Sequence, residues 1–251
     1  MSGNAFAWSS DGGGIVVAID NNCQEICAVQ GGHPKNELWT IDLASAATER
    51  VASNGVGKTW LPVAWDRVRR VVAAGVTGPG GYLTGYDVVD LNARAVRSTE
   101  FQPTVMGRLK ASSDARFVLL TVAQGGTSTS LAWWPLAEPE KRTDVAFDAE
   151  AAEWRPGTSE IWWTTGFVPA GCRTAPCAAT DVVAFDVASG ARRTVLRGNV
   201  GSLLVGFRAD ASAAITEMFG TVHALVLVDT HSGVTASVPV SAPFAGSVRL
   251  R

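Results

Sequence analysis

The sequence predicts an all-β fold, a β-propeller of four-stranded antiparallel blades, with five blades visible in 251 residues. Three observations predict it. A short pattern (an aromatic, a polar turn, then an apolar run) recurs at "WSSDGGGIVVAI", "WDRVRRVVAAGV", "SSDARFVLLTV", "WRPGTSEIWWTT" and "FRADASAAITEMF", with the aromatic missing from the third copy. The turns are separated by 55, 48, 43 and 53 residues, a period that accommodates four short strands and their connections. The apolar runs are β-branched and aromatic and are bounded by Gly or Pro, with no sustained helical periodicity.

Each element can be justified in order. The first strand of a blade ends in Trp8, Trp65, Trp154 or Phe207, with Ala111 in the third copy. The turn then carries Asp11, Asp66, Asp114, Gly157 or Asp210; Asp accepts from backbone amides two residues on, and Gly permits positive φ. Second strands follow as "IVVAI", "RVVAAGV", "FVLLTV", "EIWWTT" and "AAITEMF". Third strands read "ELWTIDL", "LTGYDVVDL", "SLAWWPL", "VVAFDV" and "ALVLVD", four of them closing on Asp42, Asp90, Asp186 and Asp229, with Pro135 in the other. Weaker fourth strands complete the units, as in "ATERVAS" and "ARRTVLR". The blades are thus expected over about 5–53, 59–101, 104–147, 150–197 and 201–240, within a single propeller domain spanning 1–251. One blade cannot bury its two faces alone, whereas stacked blades cover each other. The tail 241–251 reads either as a strand closing a five-bladed ring or as the opening of a further blade in a larger propeller.

These repeats resemble the TolB-like class of WD-repeat-like propellers, whose unit runs Trp-Ser-Pro-Asp-Gly, an apolar strand, then a strand ending in Asp-Leu and a Gly-containing turn. Here the matching stretches are "WSSDGGGIVVAI…ELWTIDLASA", "WRPGTSEIWW…VVAFDVASG" and "FRADASAAIT…LVLVDTHSG", and the resemblance covers about residues 5–240. The turn proline of the pattern occurs only at Pro156, and the second turn is shortened. The resemblance implies architecture more than activity, since the family includes periplasmic interaction proteins, peptidase-associated domains and surface proteins.

Composition excludes some classes. With 21 basic against 23 acidic residues and a net charge of −2, the chain lacks the clustered cations a nucleic-acid partner requires. The doublets Arg69–Arg70 and Arg192–Arg193 read as solvated strand faces. No apolar run reaches the roughly 18–20 residues of a membrane span, and no basic start followed by an apolar block marks a secretory signal. The four cysteines form two local pairs, Cys23 with Cys27 and Cys172 with Cys177, in loops rich in Gly, Pro and small polar residues. Two disulfides are the favoured reading and imply an oxidising, extracytoplasmic compartment: periplasmic, secreted or cell-surface. One zinc held by four thiolates is the rival, and free thiols are the third state.

The chemistry-bearing residues are few. Most acids recur with the blade and are read as turn formers; Glu160 and Glu217 stand outside that scheme, and Glu217 is the candidate axial acid, facing channel or solvent. No G-x-S-x-G occurs, and "GVGKTW" lacks the spacing of a phosphate loop. His33, His223 and His231 are the only histidines and read as exposed loop residues, so no metal, cofactor or catalytic residue is assigned. Trp8, Trp65 and Trp154 are expected to pack between blades; Trp39, Trp133, Trp162 and Trp163 lie on second or third strands, where one of each adjacent pair is expected to meet each neighbouring blade, and Trp60 is expected to be partly exposed. The long second-to-third-strand loops "NNCQEICAVQGGHPKNE" and "GFVPAGCRTAPCAAT" contrast with "FGTV" in blade five. Local crosslinks there would hold a surface in shape for a partner. The expected function is a non-enzymatic protein-interaction or scaffold module, binding a protein or another domain of the same polypeptide through His33, Lys35, Trp60, Phe167 and Arg173, with the chain itself a monomer. Two alternatives stand beside it: a glycosidase or hydrolase with paired axial carboxylates, and the regulatory propeller of a longer peptidase.

Overall fold

The computed structural model describes residues 6–19, 37–53, 59–78, 81–124, 128–146, 149–165, 180–197, 202–208, 210–218 and 224–239. Among these residues, twenty strands form five antiparallel sheets of four. Sheet 1 is β1 (Phe6–Trp8), β2 (Gly14–Ile19), β3 (Glu37–Asp42) and β4 (Thr48–Ser53). Sheet 2 is β5 (Thr59–Asp66), β6 (Val71–Thr77), β7 (Leu83–Asp90) and β8 (Ala95–Val105). Sheet 3 is β9 (Gly107–Ala111), β10 (Phe117–Gln124), β11 (Ser128–Pro135) and β12 (Thr143–Ala146). Sheet 4 is β13 (Ala149–Trp154), β14 (Glu160–Thr165), β15 (Val182–Asp186) and β16 (Arg192–Leu196). Sheet 5 is β17 (Ser202–Phe207), β18 (Ala213–Met218), β19 (Ala224–Asp229) and β20 (Thr235–Pro239). In every sheet neighbours in sequence are neighbours in the ladder, the up-and-down order of a propeller blade. A 3-10 turn spans Pro139–Lys141.

The chain divides into two compact units, Met1–Val122 with Trp133–Thr143, and Ala123–Ala132 with Asp144–Arg251. In the first unit, sheet 2 is covered on both faces, and β6 is buried along its whole length. Val72, Ala74 and Val76 pack with Val16, Ala18 and Leu38 of sheet 1. The alternate residues Val71 and Ala73 pack with Tyr86, Val88, Val118, Leu120 and Trp134. This is why "VVAAGV" is apolar without alternation: both sides of the pleat meet another sheet. The same closeness shows at Gly75, where a Cβ would lie 2.7 Å from Leu109 Cδ1 and would push that side chain aside. Within that core the Tyr86 hydroxyl donates to Leu136 O at 3.0 Å, and burial pushes its pKa up.

In the second unit Trp162, Val182 and Ala184 of sheet 4 pack with Leu204, Ala214, Val226 and Val228 of sheet 5. Trp162 meets Phe207 edge-on at 5.3 Å. Full burial of such a side chain contributes roughly 1.5–3 kcal/mol. Trp162 and Trp163 are both fully buried, so each face of β14 is covered. A hydrogen bond joins the two sheets as well, Leu204 N–H donating to the buried Thr164 hydroxyl at 2.9 Å.

Trp8 departs from expectation. Its counterparts Trp65 and Trp154 are 8% and 7% exposed, but Trp8 is 56% exposed. Ala7 packs toward sheet 2, so Phe6 and Trp8, one residue to either side, point to the opposite face of β1. The tail 241–251 lies outside the described residues.

Candidate functional site at the ends of the first strands

The C-terminal ends of β1, β5 and β9 come together in the first unit. Ser9 forms a parallel bridge with Trp65, and Ser10 N–H donates to Trp65 O at 2.8 Å. The turns beyond these strands are locked locally. The Ser9 hydroxyl donates to Asp11 at 2.7 Å and accepts from Gly14 N–H at 2.8 Å. The third sheet repeats the device: the Ser112 hydroxyl donates to Asp114 at 2.7 Å and accepts from Phe117 N–H at 3.0 Å. Between these ends lies a cavity of about 200 Å³. Trp8 and Ser10 wall it from sheet 1, Val63 and Ala64 from sheet 2, and Ala111, Ser113 and Ala115 from sheet 3. No charged side chain is among its lining residues.

The recurring carboxylates are turn acceptors. Asp42 accepts from Ser45 N–H and its hydroxyl, Asp90 from the amides of Asn92 and Ala93, and Asp229 from Ser232 N–H and its hydroxyl. Asp186 accepts from the Ser159 hydroxyl at 2.6 Å and Ala188 N–H at 2.9 Å. These bonds hold the carboxyls of Asp42, Asp90, Asp186 and Asp229 below the usual range, as the bonds from Ser9 and Ser212 do for Asp11 and Asp210.

The two acids outside the repeat are also placed. Burial favours protonation of Glu160, but hydrogen bonds from Arg193 and Arg155, both at 2.8 Å, and from the Trp162 indole at 3.1 Å outweigh it, and its pKa is lowered. Arg155 reaches on to the Thr230 hydroxyl at 2.9 Å. Glu217 is buried, 5% exposed, which removes the solvent-facing alternative of the two the sequence offers. Among the described residues no cluster of three or more His, Cys, Asp or Glu side chains could hold a metal ion.

Trp60, expected to be a partly exposed contact, is 1% exposed, and its indole N–H donates to the buried Asp87 carboxylate at 2.7 Å. The exposure expectation fails because an indole next to a blade connection can still turn inward when a buried acceptor is within reach. Sequence reasoning missed Asp87 as that acceptor, although an acid inside "GYDVVD" was the available signal. His33, Lys35, Phe167 and Arg173, the four cysteines Cys23, Cys27, Cys172 and Cys177, and His223 lie outside the described residues.

No family model and no curated protein matches the chain. Solved structures do. TolB from Acinetobacter baumannii is 14% identical with a TM-score of 0.51, the match covering 98% of this chain and 55% of that one. Oligogalacturonate lyase from Vibrio parahaemolyticus is 12% identical with a TM-score of 0.57, covering 92% and 63%. A prolyl endopeptidase is 17% identical with a TM-score of 0.57, covering 98% and 36%. The fold is a β-propeller. At these identities the likeness shows the fold alone, and the chain spans less than two thirds of the length of each of these three proteins. No described helix is long and apolar enough to cross a membrane.

Proposed function

We propose that this propeller is a non-enzymatic interaction or scaffold module acting outside the cytoplasm, holding a protein partner or another domain of the same polypeptide on its loop face. The observation that carries the reading is the commitment of the carboxylates. Asp11, Asp42, Asp90, Asp114, Asp186, Asp210 and Asp229 brace turns, and Glu160 is clamped between two guanidiniums. A general acid needs a carboxyl raised toward neutral pH, and the shifts at Glu160 and six of these Asp run the other way. The cavity supplies no carboxylate pair, so a glycosidase gains no support from it.

The segments joining β2 to β3 and β14 to β15 leave the sheets at the edge opposite the Asp-braced turns, and they carry both cysteine pairs. His33, Lys35, Phe167 and Arg173 on them remain the proposed contacts, whereas Trp60 is too buried to serve. Intact mass after thiol alkylation, with and without reductant, tests the compartment: two disulfides predict no alkylation until reduction. Replacing 20–36 and 166–179 by short turns tests the surface. Crosslinked partner capture is expected to vanish while far-UV circular dichroism and melting temperature hold; capture that survives the replacement removes the reading.

A further inference from the structure

We infer that the face of sheet 1 turned away from sheet 2 is a self-association surface, on which a second copy of this chain packs the same face about a two-fold axis. The inference goes beyond the interaction reading and uses a sheet face in place of the loops, so either can fail without the other.

Strand register defines the surface. Phe6 and Trp8 of β1 pair with Val17 and Ile15 of β2, which pair in turn with Trp39 and Ile41 of β3. Partners across a ladder point to the same side, so these side chains form one apolar surface, and Ile19 extends it along β2. The alternate residues Ala7, Val16, Ala18 and Leu38 pack toward sheet 2 instead. Phe6 is 47%, Trp8 56% and Ile19 40% exposed.

The repeat shows that a face of this kind is built to be covered. Trp65, which ends the first strand of sheet 2, turns toward sheet 1, where a Cβ on Gly14 would lie 2.4 Å from its ring. Phe207, at the same place in sheet 5, packs on Trp162 of sheet 4. Each aromatic lies on the sheet before its own. Trp8 holds that place in sheet 1, yet more than half of it is in water.

A second copy fits the surface in charge and in area. The carboxylate on it, Glu37, is 2% exposed and accepts from the Trp39 indole at 2.8 Å and from Arg50 at 3.0 Å. A two-fold contact sets each patch against itself, and here it brings no uncompensated charge against its like. Sheets stack face to face about 10 Å apart with side chains interleaved, which buries Trp8 as Trp65 is buried. Counting about 150–250 Å² for a whole aromatic side chain, Phe6, Trp8 and Ile19 leave on the order of 300 Å² in water. The half-buried Ile15, Val17, Trp39 and Ile41 bring the face to roughly 500 Å², the size of patch that marks an interaction site. Two such faces remove about 1,000 Å², the lower bound for a specific interface. The dimer is therefore expected to be weak, with a dissociation constant of about 10–100 μM.

Sedimentation velocity on the full chain tests this from about 1 to 200 μM, with reductant present so that crosslinks between copies contribute nothing. A monomer–dimer equilibrium is expected, with no larger species, because a two-fold contact uses up the face. Trp8→Glu is expected to weaken dimerisation at least about tenfold and Ile19→Lys at least about threefold. Val68→Glu, at a turn position of sheet 2 that is 89% exposed, should leave it within about twofold. Circular dichroism checks each fold; should Trp8→Glu not fold, Ile19→Lys decides. The chain with 20–36 and 166–179 replaced by short turns should dimerise as before. A monomer at every concentration would give the face to a different occupant. Species beyond the dimer, dimerisation untouched by Trp8→Glu or Ile19→Lys, or its loss with the loops would place the contact elsewhere. Each of these results overturns the inference.

Discussion

Arg67 donates to Asp42 across 2.6 Å, fastening the first turn of sheet 2 to the last turn of sheet 1. The same guanidinium lies 3.4 Å from Asp11 and sits over the Trp65 ring at 5.1 Å. One side chain thus engages two carboxylates and an aromatic, with only 29% of its surface exposed. Arg67→Ala is expected to lower unfolding free energy by about 1–2 kcal/mol, the sum of a part-buried ion pair and a cation–π contact. Arg208→Ala is the control, since that pair is 3.6 Å apart with both partners about half exposed. There the change should stay below about 0.5 kcal/mol, as for other surface pairs. Urea denaturation of both variants checks the ordering, and equal losses would defeat it.

Trp60 and Asp87 form the opposite case, a pair hidden from water at 1% and 3% exposure. Trp60→Phe keeps most of the aromatic volume but removes the donor, leaving a buried carboxylate short of a partner. The expected cost is about 2–3 kcal/mol, above the ordinary range for a neutral group. Adding Asp87→Leu to Trp60→Phe should restore part of it, because replacing both partners avoids the stranded charge. A double-mutant cycle by thermal or urea unfolding reads the coupling, which is absent if the carboxylate finds another donor.

The contrast between these residues shows what the sequence could tell. The braces are local: Asp42 bonds Ser45 and Asp229 bonds Ser232, three residues away, so composition and spacing reveal them. Sheet order follows for the same reason, since each strand pairs with its sequence neighbour. Exposure is not local. Trp60 finds its acceptor 27 residues on, and Trp8 shares its repeat position with Trp65 but not the surface that covers Trp65. A repeat copies a residue without copying its surroundings, so both tryptophans were misjudged while the blades that carry them were legible. The cavity was invisible for a related reason, being assembled from three strand ends.

Left-handed backbone recurs in the turns, and not always at glycine. Gly12, Arg70, Ala115, Gly157 and Ala211 hold it after the first strands, and Ala46, Arg94, Gly190 and Gly233 after the third. A side chain in that region costs about 1–2 kcal/mol, partly offset because glycine makes the unfolded chain more flexible. Ala211→Gly and Arg94→Gly, at φ +56° and +52°, are therefore expected to stabilise by about 0.5–1 kcal/mol each. Gly12→Ala should destabilise by about 1 kcal/mol through backbone strain alone, because a Cβ there meets nothing within 4 Å. Melting temperatures of the three variants check the signs, and a destabilised Ala211→Gly would show that the alanine methyl matters more than its φ.

Acid sensitivity follows from the braced carboxylates, and its sign is fixed. The side chains of Asp11, Asp42, Asp90, Asp186, Asp210 and Asp229 have folded pKa values below their ordinary ones, because hydrogen bonds from hydroxyls and turn amides favour the charged form. As pH falls, the unfolded chain takes up protons first, near pH 4, and the equilibrium shifts toward it. The stabilisation is fully present above the unfolded values and is lost as pH drops through the folded ones. Glu160, also lowered, acts in the same direction. Urea midpoints are expected to be level between about pH 6 and 8 and to fall steeply below about pH 4. Asp42→Asn with Asp229→Asn should flatten that fall, because neutral amides neither gain nor lose a proton there. An unchanged slope in the double variant would assign the acid response to carboxylates other than these turn braces.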